Sequence, residues 1–98
     1  MPYKTTPEAD SDLIGIYLYG FQNFGERQAE GYFSELKDCF QLLSETPFVC
    51  RERFEFIPPV RIHHHGRHLI IYMIQDDLIL IIRVLHDSMD IGRHLSGT

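Results

Sequence analysis

The chain has no tryptophan and only two cysteines, Cys39 and Cys50, among its 98 residues. The two thiols lack the short spacing of a metal knuckle and are too few for a disulfide scaffold, so both are expected to be reduced. No charged-plus-apolar leader ending in small residues is visible, which removes the expectation of a secretory signal. No apolar run approaches the roughly 20 residues of a membrane span. Basic residues are also scarce: Lys and Arg number 9 against 14 Asp and Glu, a net charge of −5. A sequence-independent nucleic-acid binder normally needs a basic stripe to displace counterions, so that class is disfavoured. These absences point to a cytoplasmic protein with no membrane partner.

What remains is an ordinary globular composition, 44% hydrophobic and 23% charged. At this length the expectation is one domain, residues 1–98, with one core and little margin. Charge is uneven along the chain. Residues 1–59 carry five Lys/Arg against ten Asp/Glu, whereas residues 60–98 carry four Arg against four Asp and all six histidines. A local positive patch on the second part, strengthened as histidines protonate, is compatible with that distribution.

Tyr3-Lys-Thr-Thr6 favours a short strand, and Pro7 ends it. Thr6 reads as a helix N-cap with proline at the first helical position and Glu8, Asp10 and Asp12 in the opening turns. Leu13, Ile16, Tyr17, Phe21 and Phe24 recur at helical spacing, predicting a helix from about Pro7 to about Asn23 that Gly25 closes. Ala29, Tyr32, Phe33, Leu36, Phe40 and Leu43 form a second stripe, ended by Thr46-Pro47. So short a connection makes an antiparallel helical hairpin, about 7–46. Its aromatics read as core rather than as a cofactor site. A loop, 48–59, follows, with Pro58-Pro59 opposing ladder hydrogen bonds. Val60–His65, His68–Gln75 and Leu78–His86 then read as a three-stranded meander, 60–86, turning at Gly66 and Asp76-Asp77. A polar tail, 87–98, ends the chain. The order is βααβββ, and the expected class is α+β: the hairpin packed on one face of a four-stranded, mainly antiparallel sheet.

Strand alternation suggests which face is which. Leu69, Ile71 and Met73, with Leu78, Leu80, Ile82 and Val84, are assigned to the helix side. His68, Ile70, Tyr72, Ile74, Ile79, Ile81, Arg83 and Leu85 are assigned to the open side, joined by Arg61, His63 and His65. Isoleucines gathered on an open face would make a binding surface. His63 and His65 share a strand face, which suits two metal ligands, but His64 points oppositely and no carboxylate or cysteine supports them at a useful spacing. No metal and no cofactor is expected. Arg61, Tyr72, Arg83, His86 and His94 hold the residue types for RNA cleavage, namely cations for a phosphate and a proton-transfer pair. The acidic balance favours the alternative that these arginines meet carboxylates, whether the chain's own or a partner's.

The element order, the Gly66-Arg-His68-Leu-Ile-Ile-Tyr72 segment, and Ile82-Arg-Val-Leu-His86 with Ser88-Met-Asp90 and His94-Leu95 resemble the ParE branch of the RelE/ParE toxin superfamily. That resemblance implies the toxin half of a type II toxin–antitoxin system, neutralised in a hetero-oligomer by a ParD-like antitoxin, with operator DNA met only through the antitoxin. It implies growth inhibition through DNA gyrase, the alternative being a RelE-like ribosome-dependent mRNA interferase. No catalytic residue is assigned. Arg61, Ile70, Tyr72, Ile79, Ile81 and Arg83 are the expected antitoxin contacts. His86, Met89, Asp90, Arg93 and His94 are the expected target-binding determinant, with Met89 and Leu95 as its anchors to the sheet.

Overall fold

The computed structural model describes residues 1–95; the last three residues of the expected tail lie outside the described residues. A short strand, β1 (Tyr3–Thr5), leads into α1 (Pro7–Phe24) and α2 (Glu26–Glu45). There follow β2 (Glu52–Arg53), β3 (Val60–His65), β4 (His68–Gln75), β5 (Leu78–His86) and a short helix, α3 (Ile91–Leu95). The sheet has five strands in the order β1-β5-β4-β3-β2. Among the described residues only the β1–β5 pair is parallel. The class is α+β, as expected, with a fifth strand from the segment read as loop. That strand is only two residues long and exists through pairing of Glu52 and Arg53 with Arg61 and Val60. No alternation of its own announces it.

Local chemistry fixes the helix ends. Thr6 Oγ1 accepts from the Ala9 N–H at 3.1 Å, satisfying one of the free donors of the first turn of α1. Gly25 sits at φ +91°, where a side chain would be strained, and its N–H closes α1 on the Phe21 carbonyl at 3.1 Å. Its own carbonyl accepts from Ala29, so one residue ends one helix and begins the next. Asp76 and Asp77 both adopt positive φ, 51° and 59°, the backbone of the two-residue hairpin turn joining β4 to β5.

The sheet faces are the reverse of the expected assignment over most of their length. Ile70, Tyr72, Ile79 and Ile81 lie under the helices, all with no solvent exposure, packed with Leu36, Phe40 and Leu43. Ile71 and Leu85 lie on the opposite face with Val60, flanked by Ile62, Met73 and Ile82. β4 is reversed along its whole length, whereas β5 is reversed only up to a bulge. Ile71 stands opposite Arg83 and Tyr72 opposite Ile81, so Ile82 is an extra residue and the alternation of β5 changes phase there. Val84 and Leu85, beyond the bulge, keep their expected sides. Both faces are apolar, so the pattern had no sign; the bulge then inverted half of the strand.

The open face is covered by the chain itself. Phe56 from the β2–β3 segment and Ile91 and Leu95 from α3 pack against Val60, Ile71 and Leu85. Among the described residues no helix is long and apolar enough to cross a membrane.

Placing Ile81 in the main core changes what a substitution there does. Ile81→Asp should unfold the protein, because an unpaired carboxylate would replace a side chain with no exposure. Ile81→Ala should cost about 2–5 kcal/mol by transfer and cavity terms together. Urea unfolding followed by circular dichroism checks both.

Candidate functional site

The N-terminal turn of α1 is fastened to the bulged stretch of β5. Thr6 N–H donates to the Ile81 carbonyl at 3.0 Å and Thr6 Oγ1 donates to the Ile82 carbonyl at 2.8 Å. One turn further on, Asp12 takes three donors: Arg83 Nε at 2.8 Å and Nη2 at 2.9 Å, and the Val84 N–H at 2.9 Å. Asp12 raises the Arg83 pKa above the ordinary guanidinium value by hydrogen bonding to the charged form. Arg83 therefore meets a carboxylate of its own chain, and its expected role as a partner contact gives way to that internal pair.

Arg61 is also committed within the chain. Its Nη1 donates to the Cys50 carbonyl at 2.6 Å, and its guanidinium lies over the Phe48 ring at 5.2 Å. Tyr72 is buried, and its hydroxyl donates to the Pro47 carbonyl at 3.0 Å. Desolvation pushes the Tyr72 pKa well up, so the phenol stays neutral. Arg61 and Tyr72 together thus clamp the segment leaving α2. Arg83 lies two strands away, paired with Asp12, and His86 and His94 are on the tail side of β5. The five residues singled out for RNA cleavage do not all converge on one phosphate-sized site.

A polar rim forms where the β3–β4 turn meets the end of β5 and the middle of α2. Tyr32 Oη lies 2.5 Å from His68 Nδ1, and the His68 and His86 rings meet edge-on at 5.5 Å. His65 Nε2 is 2.9 Å from Glu35 Oε1, and His64 Nε2 is 3.7 Å from Asp87 Oδ2. His63 contacts Cys50 Sγ at 3.9 Å, and burial lowers its pKa. Among the described residues no group of three or more His, Cys, Asp or Glu is placed to hold a metal ion.

The expected determinant after β5 is ordered by its own backbone. His86 Nδ1 accepts from the Ser88 N–H at 3.1 Å and lies 2.7 Å from Ser88 Oγ, and the Met89 N–H reaches the His86 carbonyl at 3.0 Å. Asp90 Oδ1 accepts from the Arg93 N–H at 3.3 Å, at the start of α3. Met89 is exposed rather than anchored; Ile91 takes its place beside Leu95 because helical spacing puts residues 91 and 95 on one face. Arg93 and His94 are exposed. With Thr6, Glu8, Ile82, Arg83 and Leu95 they line an open groove of about 750 Å³ between α3 and the start of α1.

Sequence reasoning missed two exposed apolar surfaces. On α1, Ile14, Leu18 and Phe21 follow one another at i, i+4, i+7, and Phe24 extends them. Ile14 is 62% exposed and Leu18 51%. Past α2, Phe48, Val49, Phe54 and Ile57 are exposed, Ile57 by 96%. The signal was present in α1, whose apolar residues run all the way round rather than in one stripe; Phe21 and Phe24 were read as core because they share helical spacing with Leu13, Ile16 and Tyr17.

Residues 3–91 match the family model described as the ParE toxin of the type II toxin–antitoxin system, parDE. A protein of Caulobacter vibrioides named Toxin ParE1 is 32% identical over 94 residues, covering 96% of this chain and 97% of its own length. A Mycobacterium tuberculosis protein of the same name is 31% identical, with 95% and 96% covered. An Escherichia coli protein named Toxin ParE is 28% identical, with 96% and 92% covered. A solved chain from the chromosomal ParDE toxin–antitoxin system of P. aeruginosa shares the fold with a TM-score of 0.75 at 20% identity, over 88% of this chain and 95% of that one.

The Asp12–Arg83 fastening yields a stability prediction. Asp12→Ala leaves the Arg83 charge and the Val84 N–H without their acceptor, and should cost about 2–4 kcal/mol. Asp12→Asn, which keeps an acceptor for Val84, should cost less. Chemical denaturation of both variants at low and high salt is the measurement.

Proposed function

The chain belongs to the ParE toxin family of type II toxin–antitoxin systems, and we propose that it is held inactive by a ParD-like antitoxin and, when released, inhibits DNA gyrase and blocks replication. The family match across residues 3–91 is the observation that carries this reading. Characterised members of the family poison gyrase, which supports the target. The commitment of Arg61 to a backbone carbonyl and of Arg83 to Asp12 supports a toxin that acts by binding rather than by cutting RNA. It works in the cytoplasm, in a hetero-oligomer with its antitoxin, and meets operator DNA only through that partner.

The antitoxin contact follows from which apolar surface the fold leaves bare. The open sheet face is closed by Phe56, Ile91 and Leu95, whereas the outer strip of α1 is uncovered. An amphipathic antitoxin segment laid along Ile14, Leu18 and Phe21, continuing toward Arg61 and the exposed Phe48, would bury that strip. Ile70, Tyr72, Ile79 and Ile81 act only from beneath, by holding the sheet. The toxic determinant is the polar run beyond β5: His86 and Asp90 shape it, and the exposed Met89, Arg93 and His94 meet the target. A rigid strand presents it, as scaffolds usually present functional loops.

Two experiments separate these assignments. Leu18→Asp should leave the fold intact and weaken antitoxin binding by at least about tenfold, a hot-spot-sized loss; undiminished co-purification would remove the α1 strip from consideration. For the determinant, Met89, Arg93 and His94 are changed to alanine together. Induction of wild type alone should produce DNA double-strand breaks and an SOS response, and the triple variant should lose both while still binding antitoxin. Cleaved mRNA in place of DNA breaks would favour the interferase alternative. Truncation after Asp87 is a poorer probe, since it also strips Ile91 and Leu95 from the sheet.

A further inference from the structure

The segment leaving α2 runs back along β3, and the antiparallel register decides which side chains meet. Glu52 stands opposite Arg61, and Arg53 opposite Val60. Carried two residues further, that register puts Cys50 beside His63, on the sheet face that also holds Arg61. The two side chains do meet: Cys50 Sγ lies 3.9 Å from His63 Nδ1, at the long end of a hydrogen bond to sulfur. The backbone of Cys50 is held as well. Its carbonyl accepts from Arg61 Nη1 at 2.6 Å, and its N–H donates to Tyr72 Oη. Tyr72 donates in turn to the Pro47 carbonyl at 3.0 Å. A nucleophile, a base and a fixed cation therefore share one half-buried spot, with the sulfur against the base.

We infer that Cys50 is a modification site, a thiol set by His63 and Arg61 to be oxidised by small hydroperoxides. The thiolate is the nucleophilic form of cysteine, and neighbouring Arg and His side chains are what favour it. Here the imidazole acts as the base. Nδ1 can accept only when the neutral ring carries its hydrogen on Nε2. Burial first, then His65 and His64, hold His63 below the usual imidazole range, which keeps the ring neutral and free to accept. In the step, the thiol proton passes to His63 Nδ1 while Sγ attacks the outer oxygen of the hydroperoxide. The S–O bond forms and the O–O bond breaks. His63 returns the proton to the departing oxygen, which leaves as water or as an alcohol. Sulfur is oxidised by two electrons to the sulfenic acid, and the peroxide is reduced by two. Arg61, tied to the Cys50 carbonyl, supplies a positive charge beside the sulfur throughout. The other thiol of the chain is the contrast. Cys39 is buried in the main core, and burial first, with Asp38 and Glu35 after it, pushes its thiol up. A dry setting facing carboxylates disfavours the thiolate, so the two cysteines should differ sharply.

The assignment does not rest on the toxin reading, and its test needs no partner. The purified full chain is treated with hydrogen peroxide in the presence of dimedone, which traps sulfenic acid. Peptide mass spectrometry then places and times the adducts. Wild type should take one adduct, on Cys50, with Cys39 labelled only once the chain is denatured. Cys50 should react about a hundredfold faster than free cysteine, the low end of what a positioned general base contributes. His63→Gln should lose most of that gain while keeping its circular dichroism spectrum. tert-Butyl hydroperoxide should react more slowly than hydrogen peroxide, because the sulfur is half-buried. Labelling of Cys39 ahead of Cys50, or a Cys50 rate no faster than free cysteine, overturns the inference on wild type alone. A folded His63→Gln that reacts as fast as wild type overturns it too.

Discussion

Four consecutive residues of β5, from Ile81 to Val84, are bound by two residues of the first strand–helix segment, Thr6 through its backbone and hydroxyl and Asp12 through its carboxylate. Much of the remaining architecture hangs on that attachment. β1 pairs with β5 only as far as Ile81, and beyond it the strand edge would present unpaired backbone groups. Thr6 and Asp12 take over where β1 stops. They bond to the stretch on either side of the bulge at Ile82, where the alternation of β5 changes phase. Removing the carboxylate would loosen α1 and the sheet edge together, and would also free a guanidinium that the fold otherwise keeps neutralised.

The division of apolar surface follows. On the open sheet face the chain packs its own Phe56, Ile91 and Leu95 against Val60, Ile71 and Leu85. Its bare apolar area is displaced to the outer side of α1 and to the segment after α2. In a family of toxins that are bound and released, this arrangement has a physical logic. A partner covering an outer helix would be able to leave without unpacking the core.

The legibility of these features depended on the range of the interaction involved. Both helices and the three long strands were readable because their ends are written locally: Thr6-Pro7, Gly25, Thr46-Pro47, Gly66 and Asp76-Asp77 each act within a few residues. The family was readable from short segments around Tyr72 and His86. The sheet faces were not. Isoleucine and leucine occupy both phases of β4 and β5, and the phase change at Ile82 is a property of pairing rather than of sequence. Tyr72 looked outward for its hydroxyl, yet that hydroxyl finds the Pro47 carbonyl inside. Arg83 looked like a partner contact because Asp12, its acceptor, is 71 residues away. Its role could be seen only once the two were side by side.

That same separation has a meaning in time. The ribosome makes Asp12 71 residues before Arg83, so the attachment that organises the sheet cannot form until β5 has emerged. At synthesis rates of about 5–20 residues per second, the helical hairpin exists for several seconds with its sheet side unfinished. Contacts of such long range also close slowly once available. The sheet therefore lacks its organising attachment until β5 has been made.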